Sequence, residues 1–386
     1  MTKKRIAVFT TIRSEYGLLS PLLEALAAHP GYELRLLAGG AHLLEAYGHT
    51  IDQIRQDGFA IAQTFPFLYA DALPDSNVRS VATLQHQIGS YLAANPPDML
   101  LMLGDRFELM PAALAALMAN VPIAHLSGGE VTEGAVDNQI RHSLTKMAHL
   151  HFPATAQYGA NIRQMGEEAW RICVCGEPGI DLMMRIRATP RAELYEELGL
   201  DAQKQTFLAT FHPETLSGAI NPALVTEVFQ ALMEHYADAQ ILVTAANFDE
   251  GGPALNAAYE RLAAENPGRL IYVKSLGQRR YYSMLRHAAL MIGNSSSGLI
   301  EAQTYHLPVL NVGNRQLGRL ANTNVLHVPA HAAAIVEEIH VALSASFREG
   351  YAGLPNIYGD GEACSRIMHF LDAVPWERLL IKRDAF

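Results

Sequence analysis

Short apolar runs of strand length alternate with segments of helical periodicity along almost the whole chain. The first run, "RIAVFT", precedes a stretch in which leucines recur on one helical face, at Leu18, Leu19, Leu22, Leu23 and Leu26. A later run, "DMLLMLGD", is apolar along nearly its whole length, as is typical of a strand buried on both faces. This alternation predicts an α/β fold with doubly wound, Rossmann-like parallel sheets.

The alternation restarts after a charged segment that contains Pro190. A chain of 386 residues is too long for one ordinary hydrophobic core. We therefore predict one Rossmann-like domain over residues 1–185 and a second over 186–362. The remaining segment, 363–386, is a candidate to pack back on the first domain.

The composition excludes several classes of protein. Hydrophobic residues make up 49% of the chain and charged residues 18%, which is typical of folded domains. The formal net charge of -10 argues against a broad nucleic-acid-binding surface. The sequence contains neither a membrane-span pattern nor a signal-peptide pattern, so we expect a cytoplasmic protein without a membrane partner.

Three cysteines are too few for a disulfide framework. Cys173 and Cys175 lie in "RICVCG", which we interpret as a strand with both thiols buried and reduced on one side. Without a second pair or a histidine cluster, this spacing does not predict a metal site.

Ligands of open parallel sheets bind beyond the carboxyl ends of the strands, so residues after each predicted strand are candidates. Arg13 and Ser14 follow the first strand at the entrance of a helix, where an anion is favoured. The alternative is that Ser14 caps the helix and Arg13 is solvated.

Asp105 directly follows a second apolar strand in "GDRFE". It is a candidate base in a ligand site, and the alternative is a cap for a helix that begins near Arg106.

Glu130, Asp137 and Arg141 follow a third strand in "SGGEVTEGAVDNQIRH". Asp137 and Arg141 are four residues apart on a predicted helix and could simply pair, but the acids around the Gly-Gly loop are harder to explain as scaffold.

His212 follows a strand in "FHPET" and is a candidate for phosphate binding or acid catalysis. The alternative is a solvated loop histidine. Three serines in "GNSSSGLIEA" precede a predicted helix that bears Glu301, and hydroxyl and backbone donors there suit a phosphate. Arg315 and Arg319 in "GNRQLGR" are candidate charge partners. Neither a P-loop nor a Gly-x-Gly-x-x-Gly turn is present, so we predict no nicotinamide cofactor.

Taken in order, these motifs resemble the hydrolysing UDP-N-acetylglucosamine 2-epimerases of sialic-acid and legionaminic-acid biosynthesis. The similarity runs from about residue 5 to about residue 330. It implies a glycosyltransferase-B fold, with the catalytic acids in the first domain and a uridine nucleotide held mainly by the second. It also implies a UDP-sugar substrate, no cofactor or metal, and a homodimer or homotetramer.

The resemblance assigns roles to individual residues. The expected catalytic residues are Asp105, Glu130, Asp137 and His212. The expected substrate-binding residues are Arg13, Ser14, Arg141, His212, Leu276, Ser295, Ser296, Ser297, Glu301, Arg315 and Arg319. Among these, the serines would contact the diphosphate, Glu301 the ribose, Arg13 and His212 the phosphates, and the backbone around Leu276 the uracil.

One position departs from part of the family. Some members carry a glutamate directly before the Gly-Gly pair, where this chain has Ser127, and Glu130 is the candidate substitute.

The expected reaction eliminates UDP to give a 2-acetamidoglucal and then adds water, releasing the free manno-configured sugar. The substrate would be UDP-N-acetylglucosamine or its 2,4-diacetamido-2,4,6-trideoxy relative. The alternatives are a glycosyltransferase of the same fold and a non-catalytic UDP-sugar-binding protein.

Overall fold

The computed structural model describes residues 3–71, 73–133, 136–214, 218–246 and 251–385. The chain forms two compact units. The first lies within Met1–Glu130, Val136–Leu182 and Gly359–Phe386, and the second within Val131–Ala135 and Met183–Tyr358. Each unit contains one parallel sheet with helices on both faces, so the predicted fold class is confirmed.

The sheet of the first unit has six strands in the order β3-β2-β1-β4-β5-β6, which is the Rossmann order. The strands are β1 Lys4–Thr10, β2 Tyr32–Gly39, β3 Ile61–Phe65, β4 Met99–Leu103, β5 Ile123–Leu126 and β6 Leu150–Phe152. Because β1 pairs with both β2 and β4, the chain reverses its direction of winding between β1 and β4. That switch point is where ligands bind in sheets of this kind.

Alternate residues of β1 enter the two apolar layers of the first unit. Ile6 and Val8 belong to one layer, and Ala7 and Phe9 belong to the other. The helices of this unit are α1 Arg13–Ala28, α2 Ile51–Gln56, α3 Ser76–Ala94, α4 Leu109–Met118, α5 Asp137–Met147 and α6 Ala156–Gln164, with α15 Ala363–Ala373 from the end of the chain. Helix α15 buries Ile367 in the same layer as Ile6, so the C-terminal segment completes the core of this unit.

The sheet of the second unit repeats the same topology, in the order β12-β11-β10-β7-β8-β9. The strands are β7 Gln205–Thr210, β8 Ala239–Thr244, β9 Leu270–Val273, β10 Leu290–Gly293, β11 Val309–Val312 and β12 Val325–Val328. Since β10 pairs with β7 and β11, its carboxyl end lies beside theirs. The residues that follow these three strands therefore share one edge of the sheet.

Helices cover both faces of this second sheet as well. They are α8 Arg191–Leu198, α9 Pro222–His235, α10 Gly252–Glu265, α11 Gly277–His287, α12 Ser296–Ile300, α13 Ala332–Leu343 and α14 Ala345–Tyr351. Val225 and Ile335 pack with Phe207 and Ile292 in one apolar layer. Helix α7, Pro178–Arg185, contains the boundary between the two units. No helix in the described ranges is long and apolar enough to cross a membrane.

The prediction of a strand over "RICVCG" is wrong. The segment forms one isolated parallel bridge, between Ile172 and His151. Strand β6 is only three residues long, so the segment has little regular ladder to extend. The thiol of Cys175 is buried as predicted, whereas Cys173 is only half-buried, and both are free thiols.

Candidate active site

In the first unit, Arg141 joins two of the sequence motifs. Its side chain is 2% exposed, and its guanidinium donates to the carboxylate of Asp105. It also donates to the backbone carbonyl oxygen of Glu130, at 3.2 Å. The acid that follows β4 and the Gly-Gly loop that follows β5 are therefore held by one cation. A planar guanidinium suits this task because its donors form a rigid fork.

Asp105 is not a helix cap. Helix α4 begins at Leu109, four residues later, and Glu108 occupies its N-cap position. The side chain of Asp105 is 26% exposed, so a carboxylate oxygen can meet a ligand while Arg141 holds the group in place. The cap interpretation of Asp105 is therefore wrong, and its role in a ligand site stays a prediction.

Asp137 occupies the first turn of α5, one turn before Arg141 on the same helix. Arg141 is directed to Asp105 and to the Gly-Gly loop, so its role extends beyond an i,i+4 pair with Asp137. Glu130 is 3% exposed, and its own carbonyl oxygen is one of the acceptors of Arg141. All three predicted acids thus lie on segments that Arg141 either belongs to or contacts.

The two glycines of the loop are closely packed. A Cβ atom on Gly128 would lie 3.0 Å from Nδ1 of His125, and one on Gly129 would lie 2.4 Å from the carbonyl oxygen of Tyr158. His125 is fully buried, and burial lowers the pKa of its imidazole to about 4. The neutral ring forms a 2.7 Å hydrogen bond with the carbonyl oxygen of Gly104, which ties β5 to the loop of Asp105.

Ser127, at the position where part of the family has glutamate, contacts another carboxylate. Its hydroxyl donates to Glu177, with oxygen–oxygen distances of 3.1 and 3.4 Å to the two carboxylate oxygens. Ser127 adopts φ +59°, and Glu177 is 5% exposed. An acidic side chain from the segment before α7 is thus present beside Ser127.

Arg13 and Ser14 are exposed in the first turn of α1. Ile12 occupies the N-cap position of this helix, so the alternative of a Ser14 cap is wrong. Arg13 and Ser14 follow β1, whose carboxyl end lies beside that of β4 and hence beside Asp105.

In the second unit, Asn294 organises the edge of the sheet. It is fully buried, its side-chain carbonyl accepts from the backbone N–H of His212 at 2.7 Å, and its side-chain amide donates to the carbonyl of His212 at 2.8 Å. The carbonyl oxygen of Asn294 accepts from Arg315 at 3.1 Å and from Gln316 at 2.9 Å. Three loops, after β7, β10 and β11, are therefore fixed to one residue.

The loop after β11 is held by a second buried group. Glu214 accepts hydrogen bonds from the backbone N–H groups of Asn314 and Arg315, at 2.7 and 3.1 Å. Gly313 has φ +76°, and a Cβ there would fall 2.3 Å from the Glu214 carboxylate. Further along the loop, Arg319 donates to the side chain of Gln316 at 3.0 Å.

The three serines differ in what they can donate. Ser295 is the N-cap of α12, and its hydroxyl oxygen accepts from the backbone N–H of Ser297, which leaves its own proton available. Ser297 donates to Glu301 and accepts from the hydroxyl of Tyr281 at 2.7 Å. Its donor is committed, so the N–H groups and the hydroxyls of Ser295 and Ser296 are the donors left for an anion.

The sequence predicted that Glu301 lies in the helix after the serines, but it lies outside α12. The helix ends at Ile300, and Glu301 lies between it and a 3-10 turn over Ala302–Tyr305. Burial raises the pKa of the Glu301 carboxyl, while its hydrogen bonds from Ser297 and Tyr282 act in the opposite direction. A carboxyl group in this setting suits hydrogen bonding to neutral hydroxyls.

His212 and Leu276 complete the predicted set. Burial, reinforced by Arg315, lowers the pKa of His212 to about 3, so its imidazole is neutral near pH 7. Leu276 is buried at the N-cap position of α11, and its carbonyl oxygen accepts from Arg280 at 2.8 Å. Within the described ranges, no group of three or more His, Cys, Asp or Glu side chains is arranged to hold a metal ion.

The sequence of this chain matches one protein family. Its sequence profile, that of the UDP-N-acetylglucosamine 2-epimerases, matches residues 24–372. The chain belongs to the UDP-N-acetylglucosamine 2-epimerase family. The resemblance predicted from the motifs is confirmed at this level.

Two bacterial relatives match this family member over most of its length. The chain is 32% identical over 326 residues to a GDP/UDP-N,N'-diacetylbacillosamine 2-epimerase (hydrolyzing) of Campylobacter jejuni, covering 84% of each chain. It is 31% identical over 380 residues to a UDP-N,N'-diacetylbacillosamine 2-epimerase (hydrolyzing) of Legionella pneumophila, covering 98% of each chain.

A solved structure has the same fold as this epimerase-family chain. It is the crystal structure of the UDP-GlcNAc 2-epimerase from Neisseria meningitidis bound to UDP-GlcNAc, with a TM-score of 0.82 at 17% identity. The match covers 96% of this chain and 100% of the other. It confirms the pair of Rossmann-like domains of glycosyltransferase-B type.

Sequence reasoning missed three residues that support the candidate residues, namely Asn294 and Glu214 in the second unit and Glu177 in the first. Each is at least nine-tenths buried, although each is polar or charged and follows a strand or an extended segment. Asn294 and Glu214 lie inside the quoted motifs, and the place of Asn294 directly after Gly293 at the end of a predicted strand was the signal that could have identified it. Glu177 lies in "CGEPG", outside every motif that the sequence singled out.

Proposed function

We propose that this protein is a hydrolysing 2-epimerase that converts a UDP-activated 2-acetamido sugar into UDP and the free manno-configured sugar. The observation that carries the proposal is the hold of Arg141 on both Asp105 and the Glu130 loop, at the carboxyl ends of β4 and β5. Removal of a proton from carbon needs a positioned base, and this arrangement positions a carboxylate.

The first step is an elimination. The C1–O bond breaks, its electron pair leaves with the diphosphate, and a carboxylate takes the proton from C2 as the C1–C2 double bond forms. The departing charge needs nearby donors, and we assign this task to Arg13, to Ser295 and Ser296, and to Arg315 and Arg319.

The second step is a hydration. Water adds to C1 and gives up a proton, while a proton arrives at C2 from the face opposite to the one it left. The opposite faces require more than one acid–base group. We assign the two proton transfers to the carboxyl groups of Asp105, Glu130 and Asp137.

The second unit supplies the nucleotide site in this proposal. Glu301, whose pKa is raised by burial, would bond the ribose hydroxyls, and backbone groups around Leu276 would bond the uracil. A diphosphate beside His212 would raise the low pKa of that imidazole, so the group could take up a proton as the leaving group gains charge.

The substrate is the finer point of the proposal. Both relatives above are diacetylbacillosamine 2-epimerases by name, which supports the UDP-2,4-diacetamido-2,4,6-trideoxy sugar as the first substrate to test. The family is named for UDP-N-acetylglucosamine, which is therefore the second substrate to test. We also propose that this chain assembles into a homodimer or homotetramer.

The test is turnover of each UDP-sugar with water as the only co-substrate, followed by proton NMR of the products. We expect UDP and a free manno-configured sugar from at least one of them. A requirement for an acceptor would identify a glycosyltransferase. Tight binding without any product would identify a binding protein, and either result contradicts the proposal.

Asp137→Asn tests the acid–base assignment. The substitution is isosteric and removes the carboxylate from the first turn of α5. We expect the turnover number to fall by at least about a hundredfold while the dissociation constant of UDP stays within a few-fold. Asp52→Asn is the matched control, since Asp52 is an exposed acid in the first turn of α2. Equal losses of turnover and UDP affinity in the Asp137 variant would indicate a structural role.

A further inference from the structure

Glu15 is a buried acid outside the machinery assigned so far. Its side chain, on the first turn of α1, is only 7% exposed. One carboxylate oxygen accepts from the backbone N–H of Thr11 at 2.8 Å and from the hydroxyl of Thr11 at 3.0 Å. The other oxygen is buried and has no hydrogen-bond partner among the described residues. A buried oxygen of this kind is costly when the group is ionised.

One guanidinium serves two buried carboxyl groups here. Nε of Arg106 lies 3.8 Å from the free oxygen of Glu15. The same guanidinium donates to Glu108 at 2.7 Å, and the Glu108 side chain is 1% exposed. Arg106 neutralises only one of the two negative charges. The cluster therefore carries an uncompensated charge whenever both acids are ionised.

The cluster lies beside the proposed reaction site. Thr11 follows β1 and Arg106 follows β4, and these two strands are paired neighbours. Arg106 is the next residue after Asp105, and Glu15 lies two residues after Arg13. Glu15 is therefore linked to Arg106, the residue directly after a proposed acid, and it lies on the helix that carries a proposed phosphate contact.

We propose that Glu15 is a positioning residue that gains a proton when the anionic substrate binds and, through Arg106, sets the position and local charge of the Asp105 loop. With Glu15 protonated, Arg106 and Glu108 form a neutral pair. With Glu15 ionised, the same edge of the sheet carries one extra negative charge, which repels a diphosphate.

The electrostatics of the group agree with this role. Burial is the largest influence and raises the pKa of Glu15 to about 7, with Glu108 acting in the same direction. Arg106 and the hydrogen bonds from Thr11 act in the opposite direction. Glu15 thus changes charge near neutral pH. A nearby diphosphate shifts the balance toward the protonated form, so binding takes up a proton.

The inference rests on the proposed function, because it needs a UDP-sugar at this edge. Glu15→Gln is the decisive variant, since the amide mimics the protonated acid and still accepts from Thr11. Glu24→Gln is the matched control, since Glu24 is an exposed acid on the same helix.

The first measurement is the KM for the UDP-sugar from pH 6 to pH 8.5. In the wild-type protein and in the Glu24 variant, we expect KM to rise by about fivefold or more across this range. In Glu15→Gln it should vary much less, with KM near the low-pH wild-type value. A wild-type KM that is independent of pH, or an unchanged profile in Glu15→Gln, overturns the inference.

The second measurement does not depend on turnover. Calorimetric titration with UDP at pH 7.5, in two buffers of different ionisation enthalpy, counts the protons taken up on binding. Contributions of UDP itself and of His212 are common to all variants, so the difference between proteins isolates Glu15. We expect Glu15→Gln to take up fewer protons than the wild type or Glu24→Gln. Equal counts overturn the inference while leaving the proposed function intact, whereas failure to bind UDP contradicts the proposed function itself.

Discussion

At the scale of single residues, the first-unit site depends on Arg141. It is a fully buried cation that contacts the carboxylate of Asp105 and the carbonyl oxygen of Glu130. A lysine carries the same charge but only one nitrogen, so it cannot reproduce two donors in a fixed fork. The placement of Asp105 should therefore be sensitive to the shape of this side chain and not only to its charge.

Arg141→Lys tests that dependence. We expect the turnover number to fall by about tenfold to a hundredfold, with a smaller change in KM, because a small displacement of a catalytic group is costly. Steady-state kinetics give both quantities. Arg163→Lys, at an exposed arginine on α6, is the control and should leave both within about twofold. A kcat that is unaffected in Arg141→Lys would mean that the fork is not needed.

Single residues also show the limit of sequence reasoning. The polar residues of "GDRFE", "FHPET" and "GNRQLGR" could be recognised as site candidates because they follow predicted strands. The residues that these side chains contact could not be predicted. The contacts of Arg141 with Asp105, and of Asn294 with His212, join residues 36 and 82 positions apart. Such pairs depend on which strands are neighbours in the sheet, which periodicity does not reveal.

At the scale of the elements, the central strands were predictable, whereas one edge strand of each sheet was not. Interior strands such as β4 are buried at every residue, so their sequences are apolar runs. Strands β3 and β12 each form one edge of their sheet, and exposed residues such as Gln63 and His327 interrupt their patterns. The segment "RICVCG" shows that an apolar run can also occur without a strand. Its apolar residues are partly buried, but they do not join a regular ladder.

The close approach of β10 to β7 gives a test at this scale. Gly293 has φ +138°, and a Cβ there would lie 1.9 Å from the carbonyl oxygen of Thr210. We expect Gly293→Ala to lower the free energy of unfolding by at least about 3 kcal/mol, because the strand must move away from its neighbour. Urea denaturation followed by circular dichroism measures the change.

Gly268→Ala is the matched control for backbone strain. Gly268 lies in the same unit with φ +74°, and a Cβ there would meet no atom within 4 Å. We expect a cost of about 1 kcal/mol from the left-handed backbone alone. Equal losses in the two variants would show that strain, rather than the contact with Thr210, sets the requirement for glycine.

At the scale of the whole molecule, two copies of the Rossmann topology divide the work in our proposal. The first unit holds the carboxyl groups and the cluster around Arg106, and the second holds the nucleotide through loops fixed by Asn294 and Glu214. The alternation of strands and helices was sufficient to predict that there are two parallel sheets, but not every strand in them. The return of α15 to the core of the first unit depends on contacts distant in sequence, such as the 2.6 Å hydrogen bond from Tyr32 to Asp372.

The central claim is that UDP leaves by elimination across C1–C2 and that water then adds. Turnover of the UDP-sugars in heavy water, followed by mass spectrometry and NMR of the product, tests it most directly. We predict release of UDP together with a free manno-configured sugar that carries one deuterium at C2, since the proton returned to C2 comes from solvent. UDP release without deuterium at C2, or an epimerised sugar still attached to UDP, would contradict the account.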